Sequence, residues 1–428
     1  MYKIFLLSLL LGTQQDRLER YLQIQHERLG FSGVLTAYQN GQPLYRVKTG
    51  QASRELNVPL TFDARFRVAS ISKQFTALLT VLAMEEKKLR PADSLALFFP
   101  TLQHAQWRRI TVEQLLSHTS GIPHNEGIAD YWTIKSRLPL TKEQALREIF
   151  QMKLRPDTLY SSPGYFLLAC ILEKTYGKDY PALLQEKVLQ PLHMQHTGVF
   201  THTQIIPSLV SGYHLLRDSL IPAPYRDPSL MKGSGDLYST AEDLQIWNNS
   251  LLNDGQWSTN IRQQLFTVHN RALSYGYGWY LRPEQGKYWH GGGTFGCSAI
   301  SAVYEKEKLS IVLLGNVSVL PVNEMLADIE KIVSGQPFDM PAPHPPVIHL
   351  GDEQLKAFTG IYVAEGQELR ILQQGHQLYA KMGNHPPFEI YPASEREFYG
   401  RKVNVRLIFK DGGLEAALRG QIHRFSKR

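Results

Sequence analysis

The segment FSGVLTAYQNGQPLYRVKTG at 31–50 places two β-rich runs on either side of Asn40-Gly41. That dipeptide favours the two-residue turn that closes antiparallel hairpins, so the pattern predicts a β-hairpin at the start of the body. Residues 70–87, SISKQFTALLTVLAMEEK, are mostly apolar and free of glycine and proline, which predicts a long helix buried on most faces. Helical patterns return at 111–118, 141–150 and 241–252, the last opened by Ser239-Thr240 with Asp243 placed as in a capping box. Strand patterns reappear as SAISAVY at 298–304 and KLSIVLLGN at 308–316, followed by a helix from 323 to 333. Strands at both ends bracket a helical middle, the signature of one sheet assembled from distant chain segments. The expected class is α+β, an antiparallel sheet flanked by helices with a helical insertion.

The run QPFDMPAPHPPV then places five prolines between Pro337 and Pro346, a composition that stays extended and holds its neighbours apart. It marks a linker over 336–349. Beyond it, residues 350–428 alternate short β-prone runs (GIYVA, ELRIL, QLYAKM, FEIYP, EFYG, VRLIF) with Gly, Asn and Pro turns, which predicts a small all-β barrel domain. The main domain is therefore expected over 16–335. At the N-terminus, MYKIFLLSLLLGTQQ has one lysine and an apolar run from Ile4 to Leu11, the pattern of a short leader over 1–15. That run is far shorter than the roughly 20 residues a membrane-spanning helix needs. It reads as a signal peptide or weak anchor, or else as a first helix docked on the body.

A chain of 428 residues, 43% hydrophobic and 20% charged, has the material for full cores and lacks the depleted composition of disordered proteins. The net charge of +7 is dispersed in pairs such as Arg108-Arg109 and Lys87-Lys88, so no nucleic-acid partner is expected. Two cysteines, Cys170 and Cys297, exclude a disulfide scaffold and a four-cysteine zinc site. There is no H-E-x-x-H, no G-x-S-x-G elbow, no Walker loop and no G-x-G-x-x-G after a strand. Neither a metal nor a cofactor is expected.

Serine with lysine remains. The spacing S-x-x-K occurs at Ser70–Lys73 and at Ser229–Lys232. Lys73 falls one turn along the long apolar helix, on the same side as Ser70 and in low-dielectric surroundings, whereas Ser229 is followed by the turn-forming Lys232-Gly-Ser-Gly235. A buried lysine loses its proton more easily than a free one and can serve as base to a serine hydroxyl, a weak nucleophile on its own. The first pair is the candidate; the second is read as coincidence.

The runs FRVASISKQFTALLTVLAMEEKKLRPADSLALFFP, TVEQLLSHTSGIP, YSSPGYFLLACILEK, GSGDLYSTAEDLQIW and HGGGTFG, in this order, resemble the serine β-lactamase-related family. Within it, they are similar to the group of class C β-lactamases, D-alanyl-D-alanine carboxypeptidases, D-aminopeptidases and esterases. The resemblance implies a sheet domain with an all-helical subdomain and an active site between them. It implies Ser70 as acylated nucleophile, Lys73 as its proton-accepting partner and Tyr160 as proton shuttle. His290-Gly291-Gly292 would lie on the cleft strand, with the N–H groups of Ser70 and Gly293 as oxyanion hole and glycines 291–293 giving a substrate backbone close approach. His118 falls in a signature that is mainly structural in the family. The end of the chain resembles a lipocalin-like barrel appended to such hydrolases.

Two positions depart from the family pattern. Ser162 stands where asparagine is usual, which removes a side-chain amide from substrate recognition, and His290 stands where β-lactamases carry lysine. A histidine is mostly neutral at pH 7 and offers less to a free carboxylate, which argues against a dedicated β-lactamase. The expected function is a periplasmic, envelope-bound or secreted serine hydrolase acting on a D-amino-acid peptide, small ester or amide, peptidoglycan-derived peptides included. The alternative is a penicillin-binding or peptidoglycan-associated protein that binds without turnover.

Overall fold

Asn40 and Gly41 both take positive φ, 52° and 74°, and turn the strand Gly33–Gln39 back onto Gln42–Thr49. In the computed structural model this hairpin is one edge of a six-stranded antiparallel sheet. The remaining strands, in spatial order toward the hairpin, are Tyr280–Arg282, Lys287–Thr294, Cys297–Tyr304 and Leu309–Gly315. Gly33 pairs with Gly315 and Gln39 with Leu309, so chain segments nearly 300 residues apart close the sheet, as the bracketing strands predict. The structure describes residues 2–156, 160–216, 219–253, 255–318, 320–342, 344–364, 367–383, 387–401, 403, 405–418 and 421–428. Met1 of the expected leader and Pro343 of the expected linker fall outside them.

Successive residues of a strand face opposite sides, and both sides of this sheet are covered. Ser301 bonds Asn248 of the helix Ala241–Leu252, while the Tyr304 hydroxyl reaches Glu330 of the helix Val322–Val333. Thr240 caps the first of these by accepting from the Asp243 amide, but the predicted capping box is only half made, because the Asp243 carboxylate accepts from His196 N and Thr197 Oγ1 instead. The predicted central helix runs Ser72–Glu85 and is buried along nearly its whole length. Phe75 stacks on Trp247 at 4.3 Å, and the Trp247 indole donates to Gln74. Against this helix packs Ser162–Tyr176, which ends at Gly177 in the left-handed conformation. The segment Tyr2–Leu29 is one helix, and no described helix is long and apolar enough to cross a membrane.

By packing, the chain forms two compact units: Met1–Glu19, Ser32–His214 and Leu220–Gln336 make the first, and Arg20–Phe31, Leu215–Ser219 and Pro337–Arg428 the second. The second unit contains a closed eight-stranded barrel whose strands pair in chain order from Gly360–Ala364 to Gln421–Lys427. Its interior holds Tyr362, Ile371, Leu378, Phe398, Phe409 and Phe425. An open depression of about 640 Å³ lies on it, lined in part by Lys356, Arg370 and Gln373. No group of His, Cys, Asp or Glu that could hold a metal occurs among the described residues.

One close approach fixes the sheet to the backbone just before the central helix. A Cβ added at Gly292 would stand 2.1 Å from Val68 O and 3.2 Å from the Ser70 nitrogen, while one at Gly293 meets nothing within 4 Å. Gly292→Ala is therefore expected to destabilise the first unit by about 1–3 kcal/mol and Gly293→Ala by less than about 0.5 kcal/mol. Urea unfolding followed by tryptophan fluorescence reads the difference; equal effects would contradict this packing.

Candidate active site

Ser70 sits in a single 3₁₀ turn, Ala69–Ile71, between the short strand Phe66–Arg67 and the central helix. Ala69 holds φ = +46°, a conformation that strains any residue with a side chain. Hydrogen bonds over-determine it: Ser72 Oγ donates to Ala69 O at 2.6 Å and accepts from Leu237 N at 3.1 Å, while Val68 N donates to Leu237 O. The strained turn is thus tied to GSGDLYS across more than 160 residues of chain.

Lys73 is fully buried, one helical turn from Ser70. Its Nζ lies 3.0 Å from Ser70 Oγ, 3.0 Å from Ser162 Oγ and 2.7 Å from Ser234 O. Burial pushes its pKa well below the ordinary lysine value, and Asp236 pulls it partly back. Asp236 is itself buried, which raises its carboxyl to about 7 against the Gly233 amide it accepts at 3.0 Å. The three oxygens around Nζ satisfy the three N–H groups of an ammonium, while burial shifts the balance toward the neutral amine.

Lys73 Nζ also stands 4.8 Å from the centre of the Tyr160 ring. The Tyr160 hydroxyl is sealed from solvent and makes no hydrogen bond of regular geometry. Burial drives its pKa well above 10 and Tyr280 adds to this, while Ser70 favours the ionised form. Around it stand His118, His124, Tyr275 and His290, with ring centres 4.5, 5.6, 6.5 and 5.9 Å away. His118 Nδ1 accepts from Ser161 N at 3.1 Å and His124 Nδ1 from Ser162 N at 3.2 Å, so the two rings hold the start of the second-motif helix. Ser161 caps that helix by accepting from Gly164 N at 3.1 Å.

His290 lies on the strand Lys287–Thr294 but is buried, Nδ1 donating to Gly291 O at 2.6 Å and Nε2 accepting from Tyr275 Oη at 3.2 Å. Burial, with Lys73 nearby, takes its pKa to about 3; burial with Lys73 and Arg226 does the same to His124. Both are neutral at physiological pH. Gly293 faces open space on this strand, whereas Gly292 is required by the protein's own backbone at Val68–Ser70, not by substrate approach as the sequence suggests.

The structure thus brings Ser70, Lys73, Tyr160, Ser162 and His290 together, with Gly292 against the Ser70 turn and Gly293 next to it on the same strand. The other S-x-x-K pair is dispersed: Ser229 Oγ is engaged with the backbone of Leu138 and Leu140, and Lys232 pairs with Glu173 at 2.5 Å. Cys170 and Cys297 are buried free thiols. Sequence reasoning missed His124, Ser234, Asp236 and Tyr275 and assigned His118 no contact. The aromatic run Tyr275–Tyr280 and the histidines flanking T-S-G-I-P were the signals available.

Residues 16–332 match the Beta-lactamase family model. A penicillin-binding protein of Bacillus subtilis strain 168 is 26% identical over 94% of this chain and 98% of its own. The teichoic acid D-alanine hydrolase of Staphylococcus aureus strain MRSA252 is 25% identical over 70% of this chain and 73% of its own. Among solved structures, the octameric penicillin-binding protein homologue from Pyrococcus abyssi superposes with a TM-score of 0.68 at 22% identity, covering 97% of this chain and 99% of that one. The fold is the β-lactamase/transpeptidase fold followed by an eight-stranded barrel, and the chain belongs to the Beta-lactamase family.

Proposed function

We propose that this protein is an envelope-facing serine hydrolase that opens D-amino-acid esters, amides or peptides through an acyl-enzyme on Ser70. The observation that carries the reading is the dry cage of Lys73, whose buried Nζ, held well below the ordinary lysine pKa, lies 3.0 Å from Ser70 Oγ. Lys73 Nζ takes the Ser70 proton as Oγ attacks the substrate carbonyl. The developing oxyanion is received by the N–H groups of Ser70 and Gly293, beside which the protein keeps space open. Burial keeps Tyr160 protonated, which suits it to hand a proton to the leaving oxygen or nitrogen and recover one from Lys73. Water then attacks the ester carbon, and Ser70 leaves with its proton restored.

A neutral, buried His290 offers no ionic grip on a substrate carboxylate, which favours D-alanyl esters and amides over β-lactams. The likeness to a teichoic acid D-alanine hydrolase and a penicillin-binding protein supports the same substrate class and a place in the cell envelope. Ser162, spent on Lys73, leaves the usual acylamide contact unmade and motivates a second reading, acylation by penicillins without turnover.

Hydrolysis of a D-alanyl ester and of a chromogenic cephalosporin tests both readings. Ser70→Ala is expected to lower kcat/KM on the ester by about 10³-fold or more, and Ser229→Ala to leave it within about twofold. Equal losses would reject Ser70, and a stable penicillin adduct without ester turnover would favour the second reading. Asp236→Asn removes the negative charge that favours the Lys73 cation, so Lys73 loses its proton at lower pH. The acid limb of kcat/KM is expected to move to lower pH; a limb that stays or moves upward contradicts Lys73 as the base.

A further inference from the structure

Arg67 and Arg226 stand apart from the acid–base groups just described. Arg67 ends the short strand before Ser70, and Arg226 lies in the irregular stretch before the 3₁₀ turn Pro228–Met231. Arg226 is only 7% exposed, its guanidinium held among three rings, 5.0 Å from Tyr131, 5.2 Å from Trp132 and 5.3 Å from Phe295. Its Nη2 donates to Tyr131 Oη, and its Nε is sealed from solvent without an acceptor. The Arg67 guanidinium lies 4.6 Å over Phe200, and its Nη2 is likewise sealed and unpaired. Among the described residues neither arginine has a carboxylate within ion-pair distance.

The two charges oppose each other, and burial together with Arg67 lowers Arg226 to about 10. The groups facing them are Asp227, Tyr225, Cys297 and His124. Asp227 attracts Arg67, but its oxygens already accept from Ser229 N at 2.9 Å and Tyr225 Oη at 3.1 Å, with His202 Nε2 at 4.0 Å. The cluster keeps a formal surplus of one positive charge. A buried guanidinium N–H without an acceptor, as at Arg226 Nε and Arg67 Nη2, is costly, and that cost falls when a ligand brings an oxyanion.

The location says which part of a substrate would bring it. Phe295 lies in the turn after the strand Lys287–Thr294, two residues past Gly293, so its backbone is at most about 7 Å from the oxyanion position and Arg226 stands over its ring. Trp132, 49% exposed, stands 6.2 Å from Phe295. We propose that Arg67 and Arg226 form a subsite for a carboxylate carried by the acyl part of the substrate, about one residue beyond the scissile carbonyl. The planar guanidinium fork suits a carboxylate, and the surplus of one charge matches a monoanion. The inference rests on the serine-hydrolase reading for the orientation of the substrate.

The test uses the full chain with Ser70→Ala and three ligands titrated by calorimetry: N-succinyl-D-alanine, N-butyryl-D-alanine and N-(phosphonoacetyl)-D-alanine. The succinyl ligand is expected to bind about tenfold more tightly than the butyryl ligand, which carries a methyl group in place of the distal carboxylate. In Ser70→Ala/Arg67→Met that ratio is expected to fall to about one; Arg226→Met is expected to do the same, and Arg67→Met carries the test if the Arg226 variant does not fold. A ratio near one in the parent, a ratio preserved without Arg67, or no binding of the succinyl ligand overturns the subsite. Tighter binding of the phosphono ligand overturns its assignment to a carboxylate. Because nothing is turned over, failure of Ser70 to acylate in the wild type would refute the hydrolase reading separately.

Discussion

The site depends on one desolvated amine. An ammonium taken wholly out of water without a matching anion loses more than neighbouring dipoles return, so burial presses the lysine to give up its proton. Lys73 is placed there by a helix that is buried along nearly its whole length, and three oxygens, Ser70 Oγ, Ser162 Oγ and Ser234 O, fix where its nitrogen points. The same dryness keeps Tyr160 protonated and His118, His124 and His290 neutral. One physical cause, exclusion of water, therefore shifts the whole cluster toward its uncharged forms, with Asp236 the buried carboxyl that partly offsets it at Lys73.

The rest of the first unit holds that environment in place. The strained Ala69 turn persists because Ser72 and Val68 bind it to Leu237, and the motif strand reaches it only because Gly292 has no side chain. His118, at φ = +60°, and His124 hold the amides of Ser161 and Ser162, so the second-motif helix begins where Ser162 can meet Lys73. Strain and polar burial concentrate where the chemistry is expected, while the sheet and helices around them are conventionally packed.

What was legible in the sequence follows from the range of the interactions. Asn40-Gly41, the capped helix at 241–252 and the apolar run after Ser70 are local patterns, and each has its expected form. The two S-x-x-K pairs could be told apart because one precedes a continuous apolar helix and the other a glycine-rich turn. Six of the barrel strands were marked by β-prone runs, but Gly413–Leu418 and Gln421–Lys427 were not: GLEAAL is weakly β-prone, and QIHRFSK is mostly polar. Asp236, Tyr275 and His124 were beyond reach for another reason. They are ordinary residues in their own segments and acquire meaning only when the fold brings segments 50 to 200 positions apart within reach of Lys73.

The measurement that tests this account most directly is the pH dependence of Ser70 labelling by a fluorophosphonate, with the modified residue located by peptide mass spectrometry. A buried, proton-poor Lys73 predicts rapid modification of Ser70 at neutral pH, lost in Lys73→Met. Modification that sets in only near pH 10, where an ordinary lysine loses its proton, or that falls on Ser229 instead, would contradict it.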